Sequence, residues 1–294
     1  MTDSFVAGVI RRTNITVGIA TTTAACEKAR TIHHTSELAT VAIGRLLTAA
    51  ALAAFSQNRK GQLSLQILGQ GRLGSMFTDV TDRGAIRTMV RNPSVALPME
   101  VSGPGSRRSI ARGLGVGTLS VIWQPDAEPF TQSTTPLITG EVDGDMEHFL
   151  TTSDQVQTAL HADVLFSDNH AVRVAGGVVL QAMPDANALA FHALRERLRE
   201  TFLETLPSLT LESLADALGE PIDTAGDPIP LAWECRCNYE RVLNGVRMLG
   251  AVDLADMVQK KETAHVQCDF CGQQYEVPPE DVLKIYQETV TGNN

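Results

Sequence analysis

The sequence predicts an α+β fold: an N-terminal domain of antiparallel sheet with packed helices, a helical linker region, and a small, cysteine-rich C-terminal domain. Three observations lead there. Strand-like runs punctuated by Gly and Asp recur at hairpin intervals between residues 61 and 125, a long apolar helix precedes them, and four of the five cysteines lie beyond residue 234. A chain of 294 residues exceeds what one small core needs, which favours two domains or one large domain with an appendage.

The elements follow in order. At 36–56, Ser36 is a candidate N-cap, and Leu38, Ile43, Leu46, Leu47 and Leu52 form a broad apolar face, so this segment reads as a buried helix. Its most apolar run, 41–55, carries Arg45 and is too short for a bilayer span, which needs about 20 apolar residues. The runs "GQLSLQILG", "GSMFTDVTD", "GAIRTMVRN" and "GTLSVIWQP" read as an antiparallel meander, with Leu63, Leu65 and Ile67 alternating, and "FTQSTTPLITGEV" as another strand. In "MEHFLTTSDQVQTAL", 146–160, Phe149, Val156 and Leu160 suit a helix packed on that sheet. The β-branched runs "ADVLFSD" and "AVRVAGGVVLQAM" read as strands that close a first domain, 1–183.

Pro184 and Asp185 open a helical stretch with Leu194, Leu198 and Phe202 on one stripe, and "LESLADALG" is a second short helix. The Pro-, Gly- and Asp-rich segment 219–230 reads as linker, which places a linker region at 184–231 and a C-terminal domain at 232–294. In that last domain Val242, Leu243, Val246 and Leu249 share a helical face, Asp253 is a candidate cap for a second helix, and "AHVQCDFCGQQYEV" reads as a hairpin.

Composition excludes several function classes. Apolar residues at 43% and charged residues at 20% are ordinary for a globular protein. A net charge of −10 and 5% aromatic residues oppose a phosphate-binding, base-stacking surface and attraction to an anionic membrane, so neither nucleic acid nor membrane is an expected partner. The opening "MTDSFVAGVIRRTN" lacks a basic segment followed by a long apolar core, so export is not expected and a cytoplasmic location is. In a reducing cytosol, cysteines serve as thiols or metal ligands rather than as persistent disulfides.

The cysteines carry the chemistry. Cys235-Arg236-Cys237 is followed, after thirty intervening residues, by Cys268-Asp269-Phe270-Cys271. Residues i and i+2 of an extended chain point to one side, and a C-x-x-C in a turn aims two more sulfurs inward. Four thiolates make a tetrahedral shell suited to one Zn(II), with no open position for water, so hydrolysis is not expected. In so small a domain the metal is worth about 10–16 kcal/mol of folding. Disulfides within each motif would restore only about 3–4 kcal/mol together, so such oxidation unfolds the domain. Crossed disulfides would pin its halves together. On spacing alone both connectivities stand, as do a purely structural zinc module and a redox-active one. The strained, easily reduced pairing available to C-x-C favours reversible redox chemistry.

"CRCNYERV", "CDFCGQQYEV", "VAGGVVLQAMP" at 174–184 and "HFLTTSDQ" at 148–155 together resemble the redox-regulated thirty-three-kilodalton heat-shock chaperones of bacteria, over nearly the whole chain. The resemblance implies an N-terminal α+β domain, a helical linker, and a zinc switch in which Cys235, Cys237, Cys268 and Cys271 bind one Zn(II) per chain when reduced. It further implies that oxidation joins Cys235 to Cys237 and Cys268 to Cys271. Zinc then leaves, the switch and linker unfold, and exposed apolar surface holds unfolding client proteins without ATP under oxidative stress, as a homodimer. The implied activity is chaperoning, not catalysis, and no client-contact residue carries over. The chain departs from the family at Thr88, where Gly often follows Arg, and at Asp154, where Glu is frequent; neither is in the cysteine set.

Other candidates read as ordinary structure. Cys26 lacks a partner cysteine and reads as a partly buried or inert thiol, His265 as a residue outside an already full shell, and His33-His34 as a solvated loop. "GPGSRRSIARGLGVG", 103–117, has no phosphate-loop pattern and reads as a loop. Two functional alternatives remain: a structural zinc ribbon binding nucleic acid or protein, and a thiol-disulfide oxidoreductase using Cys268 and Cys271. The second motif normally opens a helix after a strand, whereas here it sits in a hairpin.

Overall fold

Alternating apolar residues at the start of the chain build a strand pair, β1 (Ser4–Ile10) and β2 (Ile15–Thr21), joined by a turn in which Asn14 takes φ 56°. Asn tolerates that left-handed conformation because its short polar side chain hydrogen-bonds locally. The computed structural model describes residues 2–57, 59–102, 107–126 and 129–291. The chain divides into two compact units, one ending at Glu234 and the other beginning at Cys235.

In the first unit the strand pair is followed by α1 (Thr23–His33), α2 (Glu37–Ser56), β3 (Gln62–Gly69), β4 (Ser75–Thr81) and β5 (Ala85–Val90). Next come β6 (Val101–Ser102), β7 (Arg107–Arg108), α3 (Ala111–Leu114), β8 (Gly117–Gln124), β9 (Thr131–Pro136), α4 (Val142–Thr152), β10 (Thr158–Phe166) and β11 (Val172–Ala182). The unit ends with α5 (Ala188–Thr205), α6 (Leu211–Leu218), β12 (Asp223–Thr224), β13 (Ile229–Pro230) and β14 (Ala232–Trp233). Two six-stranded sheets result, ordered β10-β11-β2-β1-β12, with β13 also on β1, and β14-β5-β4-β3-β8-β9, while β6 and β7 pair by themselves.

Helix α2 packs against strands of both sheets and supplies the centre of the larger core. Ser36 caps it as expected, its side chain accepting from Ala39 N. At 20 residues α2 is longer than the apolar run suggests and would pass for a membrane span, yet 94% of its apolar window is buried in this fold. The fully buried Arg45 of this helix reaches Asp163 through Nε (3.1 Å), Glu141 through Nη1 (2.6 Å) and the Arg108 carbonyl through Nη2 (2.7 Å). Beside it Arg107 pairs with Asp143 at 2.6 Å.

Strand β11 is buried on both faces, which suits its near-continuous apolar run. Val179 joins the α2 core, while Val178 and Leu180 join a second core with Phe191, Leu194, Leu198 and Phe202 of α5 and Leu214 and Leu218 of α6. The Gly176-Gly177 pair belongs to this layer: a Cβ on Gly177 would lie 2.5 Å from the His161 carbonyl oxygen and 2.8 Å from Thr48 of α2. Gly177→Ala is therefore expected to cost about 1–3 kcal/mol, read as a lower denaturation midpoint in urea; an unchanged midpoint would contradict this packing.

The free edge of the first sheet is closed by carboxylates. Along β10, Leu160 N donates to Glu147 (2.9 Å), Ala162 N to Asp143 (3.3 Å) and Val164 N to Asp163 (2.8 Å), while Arg107 donates to the Ala162 carbonyl (2.9 Å).

Four local expectations change. The helix expected over 146–160 ends at Thr152; Gln155 takes φ 58° and Leu160 lies in β10, so Val156 and Leu160 matched helical spacing across a break. The meander β3-β4-β5 forms, but β8 returns to pair with β3. Segment 219–230, read as linker, contributes two short strands that pair with β1. Of the expected loop 103–117, residues 103–106 lie outside the described residues, and the rest holds β7, α3 and the start of β8.

The second unit contains α7 (Tyr239–Arg247), α8 (Ala251–Lys260), the hairpin β15 (Ala264–Gln267) and β16 (Gln274–Val277), and α9 (Pro279–Thr291). Its core is Val242, Val246, Leu254, Ala264, Val277, Val282 and Ile285. Leu249 falls beyond the end of α7 and is exposed, while Asp253 sits in the first turn of α8 behind a Gly250 cap. There its charge still complements the helix dipole.

Candidate metal centre

Cys235–Cys237 lie outside regular secondary structure and lead into α7, which Asn238 caps by accepting from Arg241 N. Cys268 and Cys271 sit in the turn of the β15–β16 hairpin. That turn closes through Gly272 N to the Cys268 carbonyl (2.8 Å) and Cys268 N to the Gln273 carbonyl (2.9 Å). Gly272 takes φ 74°, a conformation glycine adopts without a Cβ clash.

The two motifs bring four sulfurs to one place. All lie within 4.8 Å of one another, with Cys235–Cys268 at 3.7 Å and Cys237–Cys271 at 3.4 Å. A tetrahedral shell with metal–sulfur bonds of about 2.3 Å has sulfur–sulfur edges of about 3.8 Å. The four cysteines are thus positioned to bind a metal ion, and an all-sulfur, half-buried set is compatible with zinc.

The electrostatics favour a cation at this spot. At Cys235 burial opposes the thiolate, but hydrogen bonds from the Cys237 backbone and the neighbouring thiols bring it down to about 7. Burial, with the adjacent sulfurs, pushes Cys271 up to about 12, and burial also raises Cys268. One thiolate forms readily while its neighbours resist ionising beside it; a dication removes that repulsion and the protons with it. Tyr275, on β16, donates its hydroxyl to Cys237 Sγ at 3.1 Å, a bond that pushes the phenol up to about 12.

Comparison with known proteins fits this centre to a family. A family model described as "Hsp33 protein" matches residues 3–278. The chain belongs to the Hsp33 family. Among curated relatives, a 33 kDa chaperonin of Desulforamulus reducens is 32% identical over 292 residues, covering 97% of each chain. One from a Synechococcus species is 34% identical over 275 residues, covering 90% of this chain and 84% of its own. The crystal structure of a 33 kDa chaperonin from Thermotoga maritima shares the fold, with a TM-score of 0.84 at 24% identity over 99% of this chain and all of that one. Membership of the Hsp33 family, a chaperone family, brings chaperone function and with it the binding of unfolded client proteins.

The remaining cysteine and histidines of this Hsp33 family member lie elsewhere. Cys26 is fully buried on α1, its thiol raised well above the usual range by burial, which suits an inert thiol. His265 is exposed on β15 and faces Glu276 at 3.7 Å. His33 ends α1, with its ring bonded to the Thr88 carbonyl (3.1 Å) and edge-on to Trp233, so it is partly buried rather than solvated in a loop; His34 is exposed. Sequence spacing found the four cysteines but carried no signal for Tyr275, which reaches Cys237 across 38 residues.

Proposed function

We propose that this protein is a redox-regulated, ATP-independent holdase of the cytoplasm that keeps unfolding proteins from aggregating during oxidative stress. The observation that carries the reading is that two motifs thirty residues apart supply all four sulfurs to one centre in a unit with a small apolar core. Cys235, Cys237, Cys268 and Cys271 hold one Zn(II) per reduced chain. Bound there, zinc ties the two motifs together and supplies about 10–16 kcal/mol of folding free energy.

Oxidation pairs Cys235 with Cys237 and Cys268 with Cys271. As each S–S bond forms, its two thiols give up two electrons and two protons to a peroxide, whose O–O bond breaks to give water. The closest sulfurs here belong to different motifs, but a tetrahedron's edges are nearly equal. Once the shell opens, partners two or three residues apart stay together while the others diffuse away. Neither local disulfide restrains the fold of the second unit, so the switch domain, 232–294, unfolds, and under unfolding conditions the helical linker, 184–231, follows it. Residues 1–183 remain as a core, and the oxidised protein acts as a homodimer on client proteins, with neither nucleic acid nor membrane as partner.

The test combines zinc and thiol titration, disulfide mapping and light scattering from a denatured client. Reduced protein is expected to hold one zinc and not suppress scattering. Protein treated with peroxide under unfolding conditions is expected to lose the zinc, contain the two neighbour disulfides and suppress scattering. Equal suppression in both states would sink the reading, and crossed disulfides would overturn its unfolding step.

A further inference from the structure

The four sulfurs differ in what donates to them. Apart from the contacts between the thiols themselves, Cys235 accepts from the Cys237 backbone N–H, Cys268 from those of Phe270 and Cys271, and Cys271 from that of Gln273, backbone donors within or beside the same motif. Cys237 accepts from a side chain, the half-buried Tyr275 hydroxyl at 3.1 Å. Tyr275 stands on β16 opposite Val266, which fixes its backbone in the hairpin that carries the other motif.

An O–H donor to a thiolate stabilises charge on sulfur and reduces its attack on electrophiles, and such outer partners tune the ligands they touch. It also links C-x-C to the hairpin independently of a shared metal. We propose that Tyr275 is a positioning residue that holds the Cys237 sulfur for metal and restrains its oxidation. This rests on the proposed redox reading and deepens it. The restrained step is attack of the Cys237 thiolate on a peroxide oxygen, breaking the O–O bond, forming a sulfenic acid and releasing hydroxide. Cys235 then attacks that sulfur, the S–S bond forms and the second hydroxide leaves. The two sulfurs together lose the two electrons that the peroxide gains.

The test uses full-length reduced protein with Tyr275→Phe and, as control, Tyr239→Phe, which removes a hydroxyl bonded to Asp281 at 2.8 Å in the same unit without touching a sulfur. In Y275F, zinc affinity measured against a competing chelator is expected to fall about tenfold or more, as for other outer-partner losses. Peroxide-driven zinc release is expected to rise several-fold, because the Cys237 sulfur loses the O–H donor that stabilises its charge. With cobalt(II) in place of zinc, the sulfur-to-metal charge-transfer band is expected at lower energy. Y239F should match the unsubstituted protein in all three.

Complete loss of metal binding in Y275F with binding retained in Y239F counts as the expected loss. Unchanged affinity, rate and band in Y275F would overturn the proposal, as would equal changes in Y239F, since a general loss of rigidity would then explain both. If the unsubstituted protein keeps its zinc under peroxide, the redox reading falls, while the affinity and cobalt measurements still decide whether Tyr275 positions the sulfur.

Discussion

Chelating metal from the proposed zinc site of the reduced protein is expected to melt residues 235–291 while the N-terminal unit stays folded. The second unit buries seven apolar residues, and its helices α7 and α8 run for only nine and ten residues. Helices shorter than about 12 residues are marginal alone in water, and a core of this size leaves little to offset chain entropy. Its two cysteine motifs meet at the sulfurs, so emptying the site removes about 10–16 kcal/mol and leaves closely spaced thiols without a counter-charge. Amide hydrogen exchange gives the clearest record: protection should vanish across α7, α8 and α9 and persist in β2 and β11. A metal-free protein that kept its protection beyond Cys235 would refute the dependence.

Replacing Arg45 with methionine is expected to destabilise the N-terminal unit by about 3–5 kcal/mol, the cost of leaving a buried ionic partner unpaired. Methionine preserves most of the length but leaves Asp163, 5% exposed, and Glu141 without the guanidinium between them. At about 2–4 °C per kcal/mol for a domain of this size, the melting point should fall by roughly 10 °C. A shift below about 2 °C would show that Arg107, 3.4 Å from Asp163, suffices alone.

The same network makes the fold acid-sensitive. Burial works against charge on Asp143, but Arg107, the His161 ring 3.7 Å away and Arg45 outweigh it and hold this carboxyl well below its usual range. Its contribution is therefore complete above the unfolded carboxyl's pKa of about 3.9 and is lost as pH falls below that value. Urea midpoints measured from pH 6 down to pH 2 should decline over the lower half of that range, and the decline should shrink in Asp143→Asn.

Much of this was readable in the residues. Ser36 and the apolar run behind it located α2, alternation at Leu63, Leu65 and Ile67 located β3, and the C-x-C and C-x-x-C motifs located the four-sulfur cluster. Those signals are local, set by side chains a few positions apart. What escaped depends on partners distant in the chain. Arg45 looked like a reason against a membrane span, and only the fold reveals that it pairs with carboxylates 96 and 118 residues away. Tyr275 has no spacing that foretells Cys237. The break after Thr152 was hidden because helix and strand periods coincided at Val156 and Leu160, and nothing in the composition of 219–230 announces that β1 has an open side to accept it.

The carboxylates along β10 bear on what a protein-holding protein must avoid. A bare strand margin copies itself: any stretch of unfolded chain can dock there, and the next can dock on that, until the guardian seeds the deposit it exists to prevent. At Leu160, Ala162 and Val164 each amide hydrogen already has an oxygen. On that border of the sheet an incoming backbone finds those three donors already taken, which removes the regular rungs a docking strand needs there.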